Sequence, residues 1–157
     1  MCLFCGDDET RPKVAAAAGP KPLVELCRTS TDEDVLQGST GALWHLVKDT
    51  ELRAMVMDAG AVAPLVRVCR YSQSDSVLRL AAGALWHLIA DSNFRLQVVE
   101  EGAASLSIGA GRDDVTEGGI LQALVGLCLN SSDAGVLSAA AAALQLLARD
   151  DACRQQV

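Results

Sequence analysis

The chain has 157 residues, of which half are hydrophobic, 21% are charged and only 3% are aromatic, and its net charge is −7. Binding of nucleic acids and anionic membranes usually needs a basic face, so this acidic composition disfavours both partners. Ala and Leu supply most of the apolar residues and favour helices over strands, so the composition predicts an all-α protein.

The sequence predicts neither a secretory signal nor a membrane anchor. The first residues, MCLFCGDDETR, have no basic region and no long apolar run. The most apolar segment, from Ala134 to Ala148, is shorter than the ~20 residues that cross a bilayer. We therefore expect an intracellular protein without direct membrane insertion, located in the cytoplasm with the nucleus as the alternative compartment.

A period of 42 residues organises the sequence. The hexapeptide GALWHL occurs at 41–46 and again at 83–88, and PLVELC at 22–27 corresponds to PLVRVC at 64–69. A third copy follows at an offset of 59, because 17 residues are inserted in a Gly-rich segment near 103–119. A period of about 40 residues is typical of a solenoid, in which each unit covers the apolar face of its neighbour. The predicted units are the end of a preceding repeat at 1–6, repeats at 7–48, 49–90 and 91–149, and the start of a truncated fourth repeat at 150–157.

Each repeat predicts a short first helix that carries the pattern D-x-x-x-R. The acid and the base stand four residues apart in every copy: Asp7 and Arg11, Asp49 and Arg53, Asp91 and Arg95, and Asp150 and Arg154. This i, i+4 spacing predicts an ion pair within each helix, and it also suits the helix dipole. Gly60 and Gly102 are predicted to end the first helices of repeats two and three.

The second and third helices follow in each repeat. Segments such as PLVRVC predict the second helix, because proline is tolerated in the first turn of a helix. Polar turns then lead to the long third helix, and Asp32, Ser74 and Ser131, or close neighbours, are its predicted caps.

The third helix has an apolar core side and an opposite side. At about 100° per residue, the predicted core side in repeat two holds Leu78, Ala81, Ala82, Leu85, Leu88 and Ile89. The opposite side in repeats one and two holds Gln37, Gly41, His45, Arg79, Gly83 and His87. Trp44 and Trp86 lie at the border between the two sides.

The unit of a short helix, a G-A-x-x-P-L-V helix, an S-x-D turn and an A-A-x-A-L-W-x-L helix resembles the armadillo repeat. The resemblance covers the chain apart from the insertion. It implies an all-α, right-handed armadillo-type α-solenoid with about three helices per 42-residue repeat, rather than the two-helix units of HEAT repeats. It also implies that the side of the third helix opposite the core lines a concave groove.

In armadillo proteins an Asn commonly ends the motif A-L-x-N-L, and its amide holds the backbone of an extended peptide. His45 and His87 occupy that position here, and Leu146 occupies it in repeat three. A neutral imidazole donates one hydrogen bond and accepts one, so it can still bind a peptide backbone. The predicted partner-binding residues of the groove are His45, His87, Gln37, Arg79, Gly41, Gly83, Trp44 and Trp86.

Each kind of groove residue has its own expected role. Arg79 can pair with an acidic side chain, and the two glycines leave room for a partner backbone. The tryptophans either pack between successive third helices or contact the ligand. In nuclear-import receptors of the importin alpha type a Trp stands four residues before the Asn and forms slots for Lys. Gly41, Gly83 and Ala142 stand there in this chain, so we do not expect those slots.

The cysteines and histidines do not predict a metal or a catalytic centre. Cys27, Cys69 and Cys128 share one repeat position, which indicates packing, and Cys2 and Cys5 form a CxxC without a second pair. Stacked helices lie ~8–10 Å apart, too far for histidines of successive repeats to share a zinc ion. No nucleophile has an evident His and acid partner. We therefore expect no cofactor, no metal, no small-molecule substrate and no enzymatic activity.

These observations predict a non-catalytic protein–protein interaction scaffold that binds a protein or extended peptide in its groove. One alternative is the substrate-docking array of a larger enzyme, such as a U-box ubiquitin ligase, and another is a purely architectural solenoid. The insertion near 103–119 is either a partner-specific loop or an expanded surface connection.

Overall fold

The structure is a computed structural model that describes residues 19–104 and 119–150, with side chains at 19–101 and 119–150. These ranges contain helices and no strands, so the predicted all-α class is confirmed. The helices are α1 (Lys21–Thr29), α2 (Glu33–Leu46), α3 (Thr50–Asp58), α4 (Val62–Tyr71), α5 (Asp75–Ala90), α6 (Arg95–Ala104), α7 (Gly119–Asn130) and α8 (Ala134–Arg149).

Helices at equivalent repeat positions stack on one another. The second helices α1, α4 and α7 form one layer, and the third helices α2, α5 and α8 form the other. The core lies between these layers, where Leu43, Leu65 and Leu85 are fully buried. The six residues predicted for the core side of α5 are all buried, which confirms that prediction. None of the helices in the described ranges is long and apolar enough to cross a bilayer.

The third helices begin at or beside the predicted caps. The Asp32 carboxylate accepts hydrogen bonds from the backbone N–H groups of Asp34 and Val35 at the start of α2. Ser74 is the cap residue of α5, although its side chain makes no capping bond. Asp133, two residues after Ser131, caps α8. The side chains of Asp32 and Asp133 satisfy N–H groups that have no partner within the helix.

Only one of the two predicted glycine stops ends a helix. Gly60 follows α3 with φ 71°, and the N–H of Ala61 reaches back to the carbonyl of Val56. This left-handed turn suits glycine and closes α3. The prediction for Gly102 was wrong, because α6 continues through it to Ala104. A glycine in a helix lowers helix propensity by about 1 kcal/mol, which does not by itself end the helix when good helix formers follow.

The expected ion pair within α3 was also wrong. Asp49 caps α3 by accepting from backbone N–H groups in its first turn. Arg53 instead donates from Nη1 to Oδ2 of Asp91, in the next repeat, at 2.7 Å. Its Nε donates to the carbonyl oxygen of Val47 at 2.8 Å. Asp49 therefore starts its own helix, and Arg53 pairs with the equivalent aspartate of the next repeat.

The same arrangement recurs one repeat later. Arg95 donates from Nη1 to Oδ2 of Asp150 at 2.7 Å, and its Nε donates to the carbonyl oxygen of Ile89 at 2.8 Å. Asp91 accepts from the backbone N–H of Asn93 at the start of that repeat. We call these two contacts the Arg–Asp ladder, because each joins the first helix of one repeat to the start of the next.

Candidate functional site

A groove of about 360 Å³ lies on the third-helix layer. Its described lining residues come from α2, α5 and α8, so three successive repeats form it. We call it the third-helix groove, and its lining residues are Trp44, Arg79, Leu80, Gly83, Trp86, His87, Gly135, Ser138, Ala139 and Ala142. Five of the eight residues predicted for the groove are among them.

The other three predicted residues do not line this groove. Gly41 is buried, and a Cβ at this position would lie 3.5 Å from Cδ1 of Leu80 in the next repeat. The expectation that Gly41 leaves room for a partner backbone is therefore wrong, because Leu80 already covers it. Gln37 is exposed and accepts a hydrogen bond from Oγ of Ser76 at 3.4 Å. His45 is half-buried and contacts the ring of the adjacent Trp.

Trp44 and Gly83 form a close contact between repeats one and two. A Cβ added to Gly83 would lie only 2.8 Å from Nε1 of Trp44, closer than side-chain carbons approach ring nitrogens. The indole thus occupies the space over this glycine, and a partner backbone does not. The repeated GALWHL has an architectural role at this junction, since the Trp of one copy requires the Gly of the next.

The corresponding contact cannot recur between repeats two and three. The residue equivalent to Gly83 in repeat three is Ala142, whose methyl group stands where the preceding junction has an indole. Trp86 and Ala142 both line the third-helix groove. The indole of Trp86 therefore remains available as an apolar wall of the groove.

His87 supplies a neutral hydrogen-bonding group beside Trp86. Burial lowers the pKa of His87 below its ordinary value, and the charges of Lys48 and Arg53 lower it further. Its ring lies edge-on to Trp86, with 4.6 Å between the ring centroids. At pH 7 the imidazole is thus uncharged and offers one donor and one acceptor. Those two groups match the carbonyl and N–H of an extended peptide.

One cationic side chain lines the groove, and a second lies against the ring of Trp44. The side chain of Arg79 is 55% exposed, and its Nη1 lies 3.8 Å from Oδ2 of Asp133. Lys48 places its Nζ 3.3 Å from the centroid of the Trp44 ring. Sequence reasoning missed Lys48, although its position four residues after Trp44 on one helix was a usable signal.

The Arg79 stem also packs between repeats. A Cβ added to Gly135 would lie 2.6 Å from Cδ of Arg79, so the side chain crosses this glycine at the start of α8. Sequence reasoning missed Gly135 as well, because its role depends on a neighbouring repeat. The contact holds the guanidinium at the edge of the groove.

The described cysteines are free thiols in packing positions. Cys27 and Cys69 are buried and Cys128 is half-buried. Sγ of Cys27 donates to Oγ of Ser39 at 3.3 Å, and burial raises the pKa of the Cys69 thiol to about 12. A thiol that stays protonated is a poor nucleophile and metal ligand.

No three His, Cys, Asp or Glu side chains in residues 19–101 and 119–150 come together as metal ligands would. Cys2, Cys5, Cys153 and residues 105–118 of the insertion lie outside the described residues.

Comparison with known families and structures identifies relatives of this fold. The model of the Armadillo/beta-catenin-like repeat family matches residues 7–48 and 49–90, which together make up more than half of the chain. A search of curated proteins found no match.

Several solved structures share the fold. A computationally designed armadillo repeat protein for modular peptide recognition matches with a TM-score of 0.76 and 23% identity, over 98% of this chain and 58% of that one. An engineered protein solved by a structural genomics consortium matches with a TM-score of 0.71 and 27% identity, over 92% of this chain and 52% of that one. A designed armadillo repeat protein in complex with the peptide (KR)4 matches with a TM-score of 0.74 and 21% identity, over 98% and 57%. The chain thus spans little more than half the length of these proteins.

Proposed function

Because the chain belongs to the Armadillo/beta-catenin-like repeat family, we propose that its third-helix groove binds an extended segment of a partner protein. The observation that carries this proposal is a groove of about 360 Å³ that continues across three successive third helices. A continuous groove of this kind suits a ligand that runs along the stack of repeats.

Backbone hydrogen bonds would hold the segment in register. Stacked helices are ~8–10 Å apart and an extended chain advances about 3.3 Å per residue, so each repeat meets two or three ligand residues. The neutral imidazole of His87 can serve one backbone N–H or carbonyl per ligand, whereas His45, the equivalent residue one repeat earlier, is not among the described lining residues. Trp86 would contact an apolar ligand side chain next to His87.

The charges at the groove favour an acidic ligand. Arg79 has an exposed guanidinium, and Lys48 lies over the face of Trp44. Asp133 is a loose partner of Arg79 at 3.8 Å, so an acidic ligand side chain can replace it at little cost. A basic peptide such as (KR)4, which one designed relative binds, would meet like charges here. We therefore propose an extended segment with at least one Asp or Glu as the ligand.

The proposed role is that of a non-catalytic scaffold. A groove that binds backbone and acidic side chains provides recognition. The described cysteines are free thiols, which suits a reducing compartment, so the cytoplasm is the proposed location.

The test is a peptide-display screen followed by fluorescence anisotropy on the selected peptides. Ala142→Arg places a long side chain in the groove, and Ala141→Arg makes the same change at an exposed neighbour outside its lining. We expect Ala142→Arg to weaken binding at least about tenfold while Ala141→Arg leaves it nearly unchanged. Equal effects of the two substitutions, with both variants folded, would show that the ligand binds elsewhere.

The histidines and the charge preference are tested with the same peptides. The double variant His45→Ala with His87→Ala should lower affinity for every groove ligand, because it removes backbone contacts and not side-chain contacts. Selected peptides should be acidic and (KR)4 should bind more weakly than they do. A screen that yields no peptide, or peptides that the double variant retains in full, would make the groove architectural.

A further inference from the structure

A second cleft lies away from the third-helix groove, at the junction of repeats two and three. It has a volume of about 490 Å³ and is bordered by the end of α4, the turn into α5 and one face of α7. Its lining includes Cys69, Ser72, Asp75, Gly126 and Ser131. Nothing in the proposed peptide-binding role uses this surface.

The equivalent place at the junction of repeats one and two is filled by an arginine. Arg67 of α4 donates from Nη1 to the carbonyl oxygens of Cys27 and Ser30, each at 3.2 Å. Those two carbonyls lie at the end of α1, where the helix leaves acceptors without a partner in the helix. The half-buried guanidinium thus closes the first junction and compensates the negative end of the helix dipole.

The second junction lacks this arginine. The residue equivalent to Arg67 in repeat three is Gly126, and a Cβ built on Gly126 meets no atom within 4 Å. The acceptors remain, because Cys69 and Ser72 of repeat two are equivalent to Cys27 and Ser30 of repeat one. Among the described residues no side chain donates to the carbonyl oxygen of Cys69 or Ser72. The cleft is therefore the space that an arginine side chain occupies one repeat earlier.

The charges around the cleft also suit a cation. Asp75 lies on its rim and accepts a hydrogen bond from Oγ of Ser131 at 3.3 Å. The end of α4 adds the partial negative charge of its carbonyls. Arg70 also lines the cleft, with its guanidinium 5.9 Å from the ring centroid of Tyr71. The formal charges of Asp75 and Arg70 cancel. The partial negative charge of the carbonyl groups therefore decides the preference, which is for a cationic ligand.

We propose that this cleft is a receptor for a guanidinium group, supplied by an arginine side chain of a partner protein. A guanidinium has five N–H donors in one plane, so it can bridge the carbonyls of Cys69 and Ser72 and still donate to Asp75. An ammonium group has fewer donors and a stronger hydration shell. The site is independent of the third-helix groove, and each proposal can fail without the other.

The experiment is an NMR titration of the full chain with N-acetyl-arginine amide, whose one charge is its guanidinium. We expect weak, saturable shifts of the backbone amides around Cys69, Ser72 and Gly126. N-acetyl-lysine amide should bind at least about tenfold more weakly, since it loses one charge-assisted hydrogen bond. Equal binding of the two compounds, or no saturable shift with either, would overturn the proposal.

Two variants of α7 provide matched controls. Gly126→Arg should restore the arrangement of the first junction, raise the melting temperature and abolish binding of the arginine compound. Val125→Arg adds the same charge at the adjacent position, which is exposed and outside the cleft, and should leave binding unchanged. Binding that survives Gly126→Arg would place the site elsewhere.

A third variant is designed to create the same site at the first junction. Arg67→Gly should open an equivalent cleft at the first junction, so that the arginine compound also shifts amides near Cys27 and Ser30. Arg112 belongs to the insertion and lies outside the described residues. If the compound binds the Arg112→Ala variant but not the unaltered chain, then the occupant is an arginine of this chain and the partner proposal is wrong.

Discussion

Two glycines inside helices have opposite surroundings. Gly83 in α5 lies under the indole of Trp44, and a Cβ there would be 2.8 Å from Nε1. Gly126 in α7 faces open space, with no atom within 4 Å of an added Cβ. Glycine costs a helix interior about 1 kcal/mol relative to alanine in both cases. Only at Gly83 does a packing contact compensate that cost.

Alanine should therefore have opposite effects at the two sites. We expect Gly126→Ala to raise the free energy of unfolding by about 0.5–1 kcal/mol, because it gains helix propensity without a clash. We expect Gly83→Ala to lower it by about 1 kcal/mol, because the overpacking cost of ~1–3 kcal/mol exceeds the same gain. Urea unfolding of the two variants beside the parent measures both changes.

Repeating Gly83→Ala in a Trp44→Ala variant separates the packing effect of the substitution from its effect on helix propensity. Without the indole, Gly83→Ala should become stabilising by about the amount seen for Gly126→Ala. If Gly83→Ala stays destabilising in that background, the close contact with Trp44 is not the cause.

The helical wheel predicted on which side of the third helix Gly41 and Gly83 lie, but not which residues contact them. It placed Gly41 and Gly83 on the side away from the core, and both are on the third-helix layer. The side chains that pack over them, Leu80 and Trp44, belong to neighbouring repeats. A helical wheel describes a single helix. It does not give the register between stacked helices, and that register decides which side chain contacts a glycine.

At the scale of elements, two equivalent helices start in different ways. Asp32 accepts hydrogen bonds from two N–H groups of α2. Ser74 occupies the same position before α5, but its Oγ lies 2.8 Å from Oγ of Ser76 and makes no capping bond. The cap of α2 is therefore a side-chain contact, whereas α5 begins without one.

Alanine scanning of the two caps should reveal this difference. We expect Asp32→Ala to lower the free energy of unfolding by about 1 kcal/mol, the usual cost of a lost cap, and Ser74→Ala to cost less than half as much. Chemical denaturation of both variants tests this, and equal losses would contradict the assignment of these contacts.

Helix positions were more predictable than helix ends. The caps of α2, α5 and α8 lie where polar turns precede apolar periodicity, and local sequence carries that signal. Gly60 ended α3 because its backbone turns left-handed with φ 71°. Gly102 has the same sequence context, yet α6 passes through it. Whether a glycine adopts the left-handed turn depends on the chain that follows, and an insertion follows Gly102.

At the scale of the whole molecule, the Arg–Asp ladder couples the repeats. The side chains of Arg53 and Asp91 are 14% and 11% exposed, so this pair is largely shielded from water. The backbone N–H of Asn93 and the Arg53 guanidinium hold the pKa of Asp91 below its usual range. A carboxyl whose pKa is lowered on folding stabilises the fold above its ordinary pKa and loses that contribution as the pH falls.

Asp91→Asn should therefore destabilise the protein in a pH-dependent way. At pH 7 we expect a loss of about 1–3 kcal/mol in the free energy of unfolding, the range for hydrogen bonds to charged groups. The difference from the parent should stay constant down to about pH 5 and shrink below about pH 4, where Asp91 of the unfolded parent takes up a proton while the folded parent, with its lower pKa, still holds the charge. Urea titrations across this range measure it, with the exposed Asp58→Asn as control. A difference that does not change with pH would exclude the ion pair as its cause.

The ladder could not have been predicted from the spacing of D-x-x-x-R. Asp49 and Asp91 are equivalent by the repeat, so the sequence offers Arg53 a partner in its own helix and another in the next repeat. Both aspartates accept backbone N–H groups of their own repeat through Oδ1, so capping does not distinguish them. Arg53, whose Nε donates to the carbonyl oxygen of Val47, reaches Oδ2 of Asp91 in the next repeat. Composition, period and the resemblance to the armadillo repeat together predicted the fold class, whereas this choice required the positions of neighbouring helices.

Because each contact of the ladder runs from one repeat to the next, the chain has an interface that can be copied. An in-frame duplication of residues 49–90 after Ala90 would present a new Asp49 to Arg53 and a new Gly83 to Trp86. The new Arg67 would enter the vacant cleft. A gene of this kind can therefore lengthen its product by 42 residues at a time without any compensating substitution at the new junction.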